Sequence, residues 1–357
     1  MLLNPDAPGP AMKIISDPKA PGFQYFVVDR SSTLFESHGG MADIASRRPM
    51  RADTALMAYS MSKTITAAAV LQLVGAGKVR LDDSIGHYLE EQPYGPAVTV
   101  RQLLSHTSGV PNPIPTRWVH PMAVHNTFDE RAALDSVLRK HPHLARPPGT
   151  KYAYSNIGYW LLGRIVEEAS GEAFTSYVET HLFRPLEIEP DELGYSIADP
   201  TNCASGYLER YSFMNLVKRL VIDRDMIGGY EGRWLRIRGH YVNGAAFGGL
   251  VGNAGGFGRF LQDQLQDHSR ILSDAMRALF REPQQTARGR AIPMTLGWHI
   301  GSSRERPFLY KEGGGAGFHS MMRVYPAAGI ASVLMVNATT CDVSALLDDM
   351  DTPFLRP

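Results

Sequence analysis

Ser60 and Lys63 stand three residues apart at the start of an apolar stretch. On a helix that spacing puts two side chains on one face, so a hydroxyl and an amine can meet there as a nucleophile and its base. The segment Ala58-Tyr59-Ser60-Met61-Ser62-Lys63-Thr64 reads as a strand-like lead-in turning into a helix that begins near Ser60 and stops at Gly75 to Gly77. A helix start offers unpaired backbone N–H groups and partial positive charge, which favour the negative charge that develops when Ser60 attacks a carbonyl. Ile65, Ala67, Ala68, Ala69, Val70, Leu71, Leu73 and Val74 make the helix apolar on nearly every side, the pattern of a helix buried in a core. The spacing alone is common: Ser16-Asp17-Pro18-Lys19 matches it too, but Pro18 disfavours a helical turn there.

A serine hydrolase also needs a group that returns the proton and donors for the oxyanion. In Pro147-Pro148-Gly149-Thr150-Lys151-Tyr152-Ala153-Tyr154-Ser155-Asn156-Ile157-Gly158, a turn delivers Tyr154 and Asn156 just before a helix. Nearby lysines are expected to lower the pKa of Tyr154, making it a base toward Ser60 and afterwards an acid. In Tyr310-Lys311-Glu312-Gly313-Gly314-Gly315, a lysine precedes glycines whose missing side chains let a substrate lie against backbone. An N–H near Gly314 would pair with that of Ser60 as the oxyanion hole, and Lys311 would supply positive charge.

Ser60-Met61-Ser62-Lys63, Tyr154-Ser155-Asn156 and Lys311-Glu312-Gly313 occur in the order and approximate spacing of three boxes, S-x-x-K, Y-x-N and K-x-G. In this the chain resembles the class C β-lactamase-like serine hydrolases, which include β-lactamases, DD-peptidases, D-amino-acid peptidases and β-lactamase-like esterases. Leu103-Leu104-Ser105-His106-Thr107-Ser108-Gly109, Pro148-Gly149 and Leu296-Gly297-Trp298 look like the family's connecting motifs, so the resemblance runs from about residue 20 to 340. It implies Ser60 as acylated nucleophile, Lys63 as its activator, Tyr154 as general acid/base, Asn156 as a substrate hydrogen-bonder and Lys311 as an electrostatic anchor, with Gly313 and Gly314 along the substrate. It also implies a β-lactamase/transpeptidase-like α+β fold, an antiparallel sheet flanked by helices plus a mostly helical domain. Tyr241-Val242-Asn243 and His299-Ile300-Gly301 repeat two of the patterns, but lack the Pro-Gly turn and the glycine run respectively.

Glu312 departs from the family, where the middle residue of the third box is usually threonine and helps hold a substrate carboxylate. A glutamate facing the site would repel that carboxylate; turned away or paired with a neighbouring lysine, it would not. The first orientation implies weak action on penicillins and D-Ala-D-Ala ends. Carboxylesterase-like action on small esters is the leading expectation, with a β-lactamase or D-amino-acid/DD-peptidase as alternative and a non-catalytic ligand-binding relative as a further one. His106 and His319 come without a G-x-S-x-G elbow, and His106 is expected to fix the loop after Leu104. No H-E-x-x-H, Walker loop or dinucleotide fingerprint occurs, so neither metal nor cofactor is expected.

The elements that must position these boxes follow from the patterning. Gly22 to Val28 and Thr33 to His38 read as strands around an Asp29-Arg30-Ser31-Ser32 turn, and Met294 to Ile300, Phe308 to Glu312, His319 to Tyr325 and Ile330 to Asn337 as later strands. Ser84 to Leu89, Val100 to Leu104, Ile157 to Ser170, Phe174 to Phe183 and Val343 to Met350 read as helices. A chain of 357 residues suggests two lobes, and the pattern divides it into residues 1–80 with 245–357 as a sheet domain and 81–244 as a mostly helical insertion.

Residues 207–244 stand apart. Phe213, Leu216, Val217, Leu220 and Val221 form one helical stripe, with seven basic against four acidic residues over 201–240. The expectation is a helix packed on its own domain, the alternatives being a lid, a dimer contact or a membrane-surface contact. With 36 basic and 36 acidic residues no global field points to nucleic acid or an anionic membrane. A small ester, amide or lactam is the expected partner, and a homo-oligomer stays open. Cys203 and Cys341 read as ordinary thiols. The first residues show no signal peptide and no stretch spans a bilayer, so the expected compartment is the cytoplasm, with a removed leader left open. Disorder is expected only in the Pro-rich first dozen residues and at the end.

Overall fold

A computed structural model describes residues 19–115 and 118–355; Ser16, the Pro-rich start and the last two residues lie outside them. Seven strands form one antiparallel sheet: β1 (Gly22–Asp29), β2 (Thr33–Asp43), β3 (Arg48–Pro49), β4 (His299–Ser303), β5 (Arg306–Gly315), β6 (Phe318–Tyr325) and β7 (Ile330–Val336), in the order β4-β5-β6-β7-β1-β2-β3. The first and last parts of the chain meet where β1 pairs with β7, Phe23 opposite Val336 and Asp29 opposite Ile330. Alternation sends neighbouring side chains to opposite faces. Val27 and Leu334 therefore join a cluster with Leu346 and Leu347, while Val28 and Met335 join the main core with Phe257 and Phe260.

The helices that matter for the site are α1 (Ser62–Gly75), α2 (Asn156–Ser170), α3 (Phe213–Val221), α4 (Ala254–Leu265) and α5 (Val343–Met350). α4 covers one face of the sheet and α5 the other. α1 is buried on all sides from Ser62 to Leu71, as its composition requires, and packs against α2 and the short helix Ala245–Gly248. Ser155 caps α2 by accepting from Gly158 N at 3.0 Å, and Gly171 ends it at φ +79°, a left-handed conformation that glycine adopts without strain.

Three readings need correction. The expected strand Met294 to Ile300 starts only at His299, because Gly297 takes φ +118° and lies so close to α1 that a Cβ would meet Ala67 at 2.5 Å. The described residues between 119 and 242 also contain six short strands, among them Gly206–Glu209, Ile227–Glu231 and Trp234–Ile237 in a sheet of their own. At two to five residues each, they are too short to show alternation, and several pair with distant segments. Two residues of the apolar stripe of α3 are not packed on the domain: Phe213 and Leu216 are 73% and 81% exposed. Among the described residues no helix is long and apolar enough to cross a membrane.

Candidate active site

Ser60 sits in a single 3-10 turn, Tyr59–Met61, immediately before α1. Tyr59 takes φ +46°, a left-handed conformation that costs a bulky residue about 1–3 kcal/mol. Its hydroxyl, 2.7 Å from His240 Nε2 and 3.1 Å from the Ala316 carbonyl, ties the turn to two other segments. The turn projects Ser60 Oγ toward the first turn of α1, where Lys63 Nζ donates to it at 2.9 Å. Lys63 also donates to the Phe247 carbonyl at 2.5 Å. Tyr154 Oη donates to Ser60 Oγ at 2.8 Å from the opposite side. The hydroxyl is thus held between the amine of its own turn and a phenol that lies 94 residues further along the chain.

Lys311 enters from β5, fully buried, with its Nζ 5.5 Å from the centre of the Tyr154 ring and no hydrogen-bond partner among the described residues. Burial depresses the pKa of Lys63 far below the usual lysine range, with the charge of Lys311 as a second cause. Burial also pulls Lys311 down to about 7. Tyr154 moves the other way from the expectation: burial raises its pKa, outweighing the hydrogen bond to Ser60, so it is a protonated phenol. Removing a charge's water shell costs more here than the lysines return.

Two neutral histidines flank Tyr154, with ring centres 4.4 Å away for His106 and 6.4 Å for His299. The His106 carbonyl accepts from Ala153 N at 2.7 Å and its Nδ1 from Ser155 N at 3.1 Å, so it clamps the backbone on both sides of Tyr154. His299 lies 3.0 Å from Tyr152 Oη; burial and then Lys311 push its pKa down to about 2. Neither adds positive charge beside Ser60.

Asn156 opens α2 with its Oδ1 buried and unpartnered among the described residues. Gly313 packs so tightly on the nucleophile turn that a Cβ would lie 2.0 Å from the Ala58 carbonyl and 3.0 Å from Ser60 N. Gly314, Gly315 and Asn156 line a cavity of about 100 Å³ beside Ser60, walled by Trp118, Val119, Ile222, Val242 and Phe247. A larger cavity of about 370 Å³, between Tyr88 and Arg164, holds none of these groups. Glu312 points away from Lys311, is exposed, and lies 2.6 Å from His319 Nε2, so its partner is a histidine rather than a lysine. Tyr241 stacks on His125, with ring centres 3.7 Å apart, and its Oη accepts from Ile197 N at 2.7 Å. Among the described residues no group of three His, Cys, Asp or Glu side chains is placed to hold a metal ion.

Sequence reasoning missed the Phe247 carbonyl that receives Lys63 and the apolar walls around Ser60. A backbone acceptor leaves no mark in residue type, and Trp118 and Phe247 read as ordinary core.

The Beta-lactamase family model matches residues 11–351. Penicillin-binding protein 4* of Bacillus subtilis (strain 168) is 26% identical over 298 residues, covering 82% of this chain and 62% of that protein. Esterase EstB of Burkholderia gladioli is 30% identical over 198 residues, 51% of this chain and 48% of the esterase. The chain therefore spans less than two thirds of the length of either relative. The D-amino acid amidase from Ochrobactrum anthropi SV3, solved with L-phenylalanine, superposes with a TM-score of 0.81 at 21% identity and covers 98% of both chains. That likeness establishes a β-lactamase/transpeptidase-like fold.

Proposed function

Because the chain belongs to the β-lactamase family of serine hydrolases, we propose that it hydrolyses small neutral carboxylic esters through an acyl-enzyme on Ser60. One observation carries this reading: Ser60 Oγ lies between Lys63 Nζ at 2.9 Å and Tyr154 Oη at 2.8 Å, beside a small apolar cavity.

Lys63, kept neutral by burial, accepts the Ser60 proton as Oγ attacks the ester carbonyl. Tyr154 gives its phenolic proton to the departing alkoxide oxygen, a stronger base than a phenolate, and recovers one from Lys63. Water then attacks the acyl carbonyl by the reverse relay, Ser60 regains its proton and the acid leaves. The backbone around Ser60 and Gly314 and the cation of Lys311 stabilise the oxyanion.

Two features support an ester over a carboxylate-bearing lactam or peptide. Glu312 puts no hydroxyl at the middle of the third box to hold a carboxylate, and the walls are Trp118, Val119, Ile222 and Phe247. A second reading, a D-amino-acid amide, is favoured by the unpartnered Asn156 Oδ1, which can accept an amide N–H.

Turnover of p-nitrophenyl butyrate, nitrocefin and D-alanine p-nitroanilide decides between them. The ester is expected to have the highest kcat/KM, and Ser60→Ala to lower its kcat by at least about 10³-fold. A higher kcat/KM for nitrocefin would refute the ester reading, and for the anilide would favour the amide. Undiminished turnover by Ser60→Ala would remove Ser60 from the mechanism.

A further inference from the structure

α3 turns two large apolar side chains outward. At 3.6 residues per turn, Phe213 and Leu216 fall on one side and Asn215 and Lys218 on the other. An amphipathic helix on a protein normally turns its apolar side inward. Here Asn215 is buried, 2% exposed, with its Nδ2 donating to the Glu209 carbonyl at 3.0 Å and its Oδ1 accepting from Lys218 Nζ at 2.6 Å. Phe213 and Leu216 face solvent, and Tyr211, just before the helix, is 90% exposed. Met214 packs on the cluster of Leu208, Leu235 and Ile237, and together with the hydrogen bonds of Asn215 it holds Phe213 and Leu216 outward.

The charges around this face have one sign in excess. Residues 201–240 carry seven basic and four acidic side chains, and two of the acids are already paired, Glu209 with Arg233 and Glu231 with Arg236. Arg219 and Arg224 are exposed at the end of the helix. In a two-fold dimer this basic face would meet its own sign of charge, whereas an anionic lipid surface complements it.

The helix ends beside the active-site cavity. Ile222, the residue after α3, lines the cavity beside Ser60. On another wall stands Pro115, preceded by Ile114, which is 73% exposed. We propose that Tyr211, Phe213 and Leu216 dock on the surface of an anionic lipid bilayer, bringing the mouth of the Ser60 cavity to that surface. The rings and the leucine enter the boundary between headgroups and acyl chains, and the exposed Arg219 and Arg224 stay at the lipid phosphates.

Co-sedimentation of the full chain with vesicles tests this, one set of phosphatidylcholine alone and one of equal parts phosphatidylcholine and phosphatidylglycerol. The expected result is binding to the anionic set that weakens with salt, and binding at least about tenfold weaker for the double variant Phe213→Ser, Leu216→Ser. Both side chains are exposed, so the variant is expected to keep its melting temperature and its turnover of a soluble nitrophenyl ester. Absence of binding to anionic vesicles at low salt, or equal binding by the variant, overturns the proposal. So does a dimer on size exclusion that the double variant dissociates, since the face would then belong to a second copy. Binding is read without turnover, so failure of the ester reading leaves this test intact.

Discussion

Lys311 is a buried amine with no partner among the described residues to offset its charge. Its pKa is about 7 in the folded chain, against 10.5 ordinarily, so the unfolded chain holds the proton more tightly. Stability therefore falls as pH drops through the ordinary lysine range, and the deficit is complete below about pH 7. Lys311→Met is expected to raise stability by about 1–3 kcal/mol below neutrality, a gain that shrinks toward high pH. The same change should lower kcat/KM at least about tenfold. Urea unfolding below pH 7 and above pH 10.5, with ester turnover alongside, checks both halves; a destabilised variant at low pH would show that the cation is better solvated than its burial indicates.

β5 acts as an element rather than as a row of residues. Alternation puts Lys311 and Gly313 on the site face and Glu312 on the other, so one strand brings a cation inward, leaves room for the nucleophile turn, and bonds Glu312 to His319 outside. Gly313→Ala must push a methyl group against the Ala58 carbonyl, 2.0 Å away, and displace Ser60. About 1–3 kcal/mol of stability should be lost, together with most acylation. Gly314→Ala is the control: its Cβ would meet only the His319 ring, at 3.3 Å, so it should cost far less. Melting temperatures and burst kinetics on a nitrophenyl ester distinguish the two, and equal losses would show that the close approach at Gly313 is not what matters.

On the scale of the molecule, one connected core runs from Val28 through α1, α2 and α4 to Met335, joining side chains of the sheet to those of the helical middle. Neither part can lose its packing without exposing apolar surface of the other. Thermal unfolding is therefore expected as a single transition, with calorimetric and van 't Hoff enthalpies equal. Two resolved transitions would show that the helical middle has a core of its own.

The sequence determined what lies within a few residues of itself. Ser60 and Lys63 meet because both fall within one turn of chain; α1 is buried because its composition admits no wet face; the strands from β5 to β7 are legible because they are long and bounded by glycines. Tertiary structure alone decided the rest. It set the protonation of Tyr154, since burial arises from α2, β5 and the flanking histidines together and no local count of lysines contains it. It chose the Phe247 carbonyl as the acceptor for Lys63, 184 residues away. It also turned Phe213 and Leu216 of α3 outward, because periodicity marks which residues share a side, while the hydrogen bonds of Asn215 to Glu209 and Lys218 fix which side faces in.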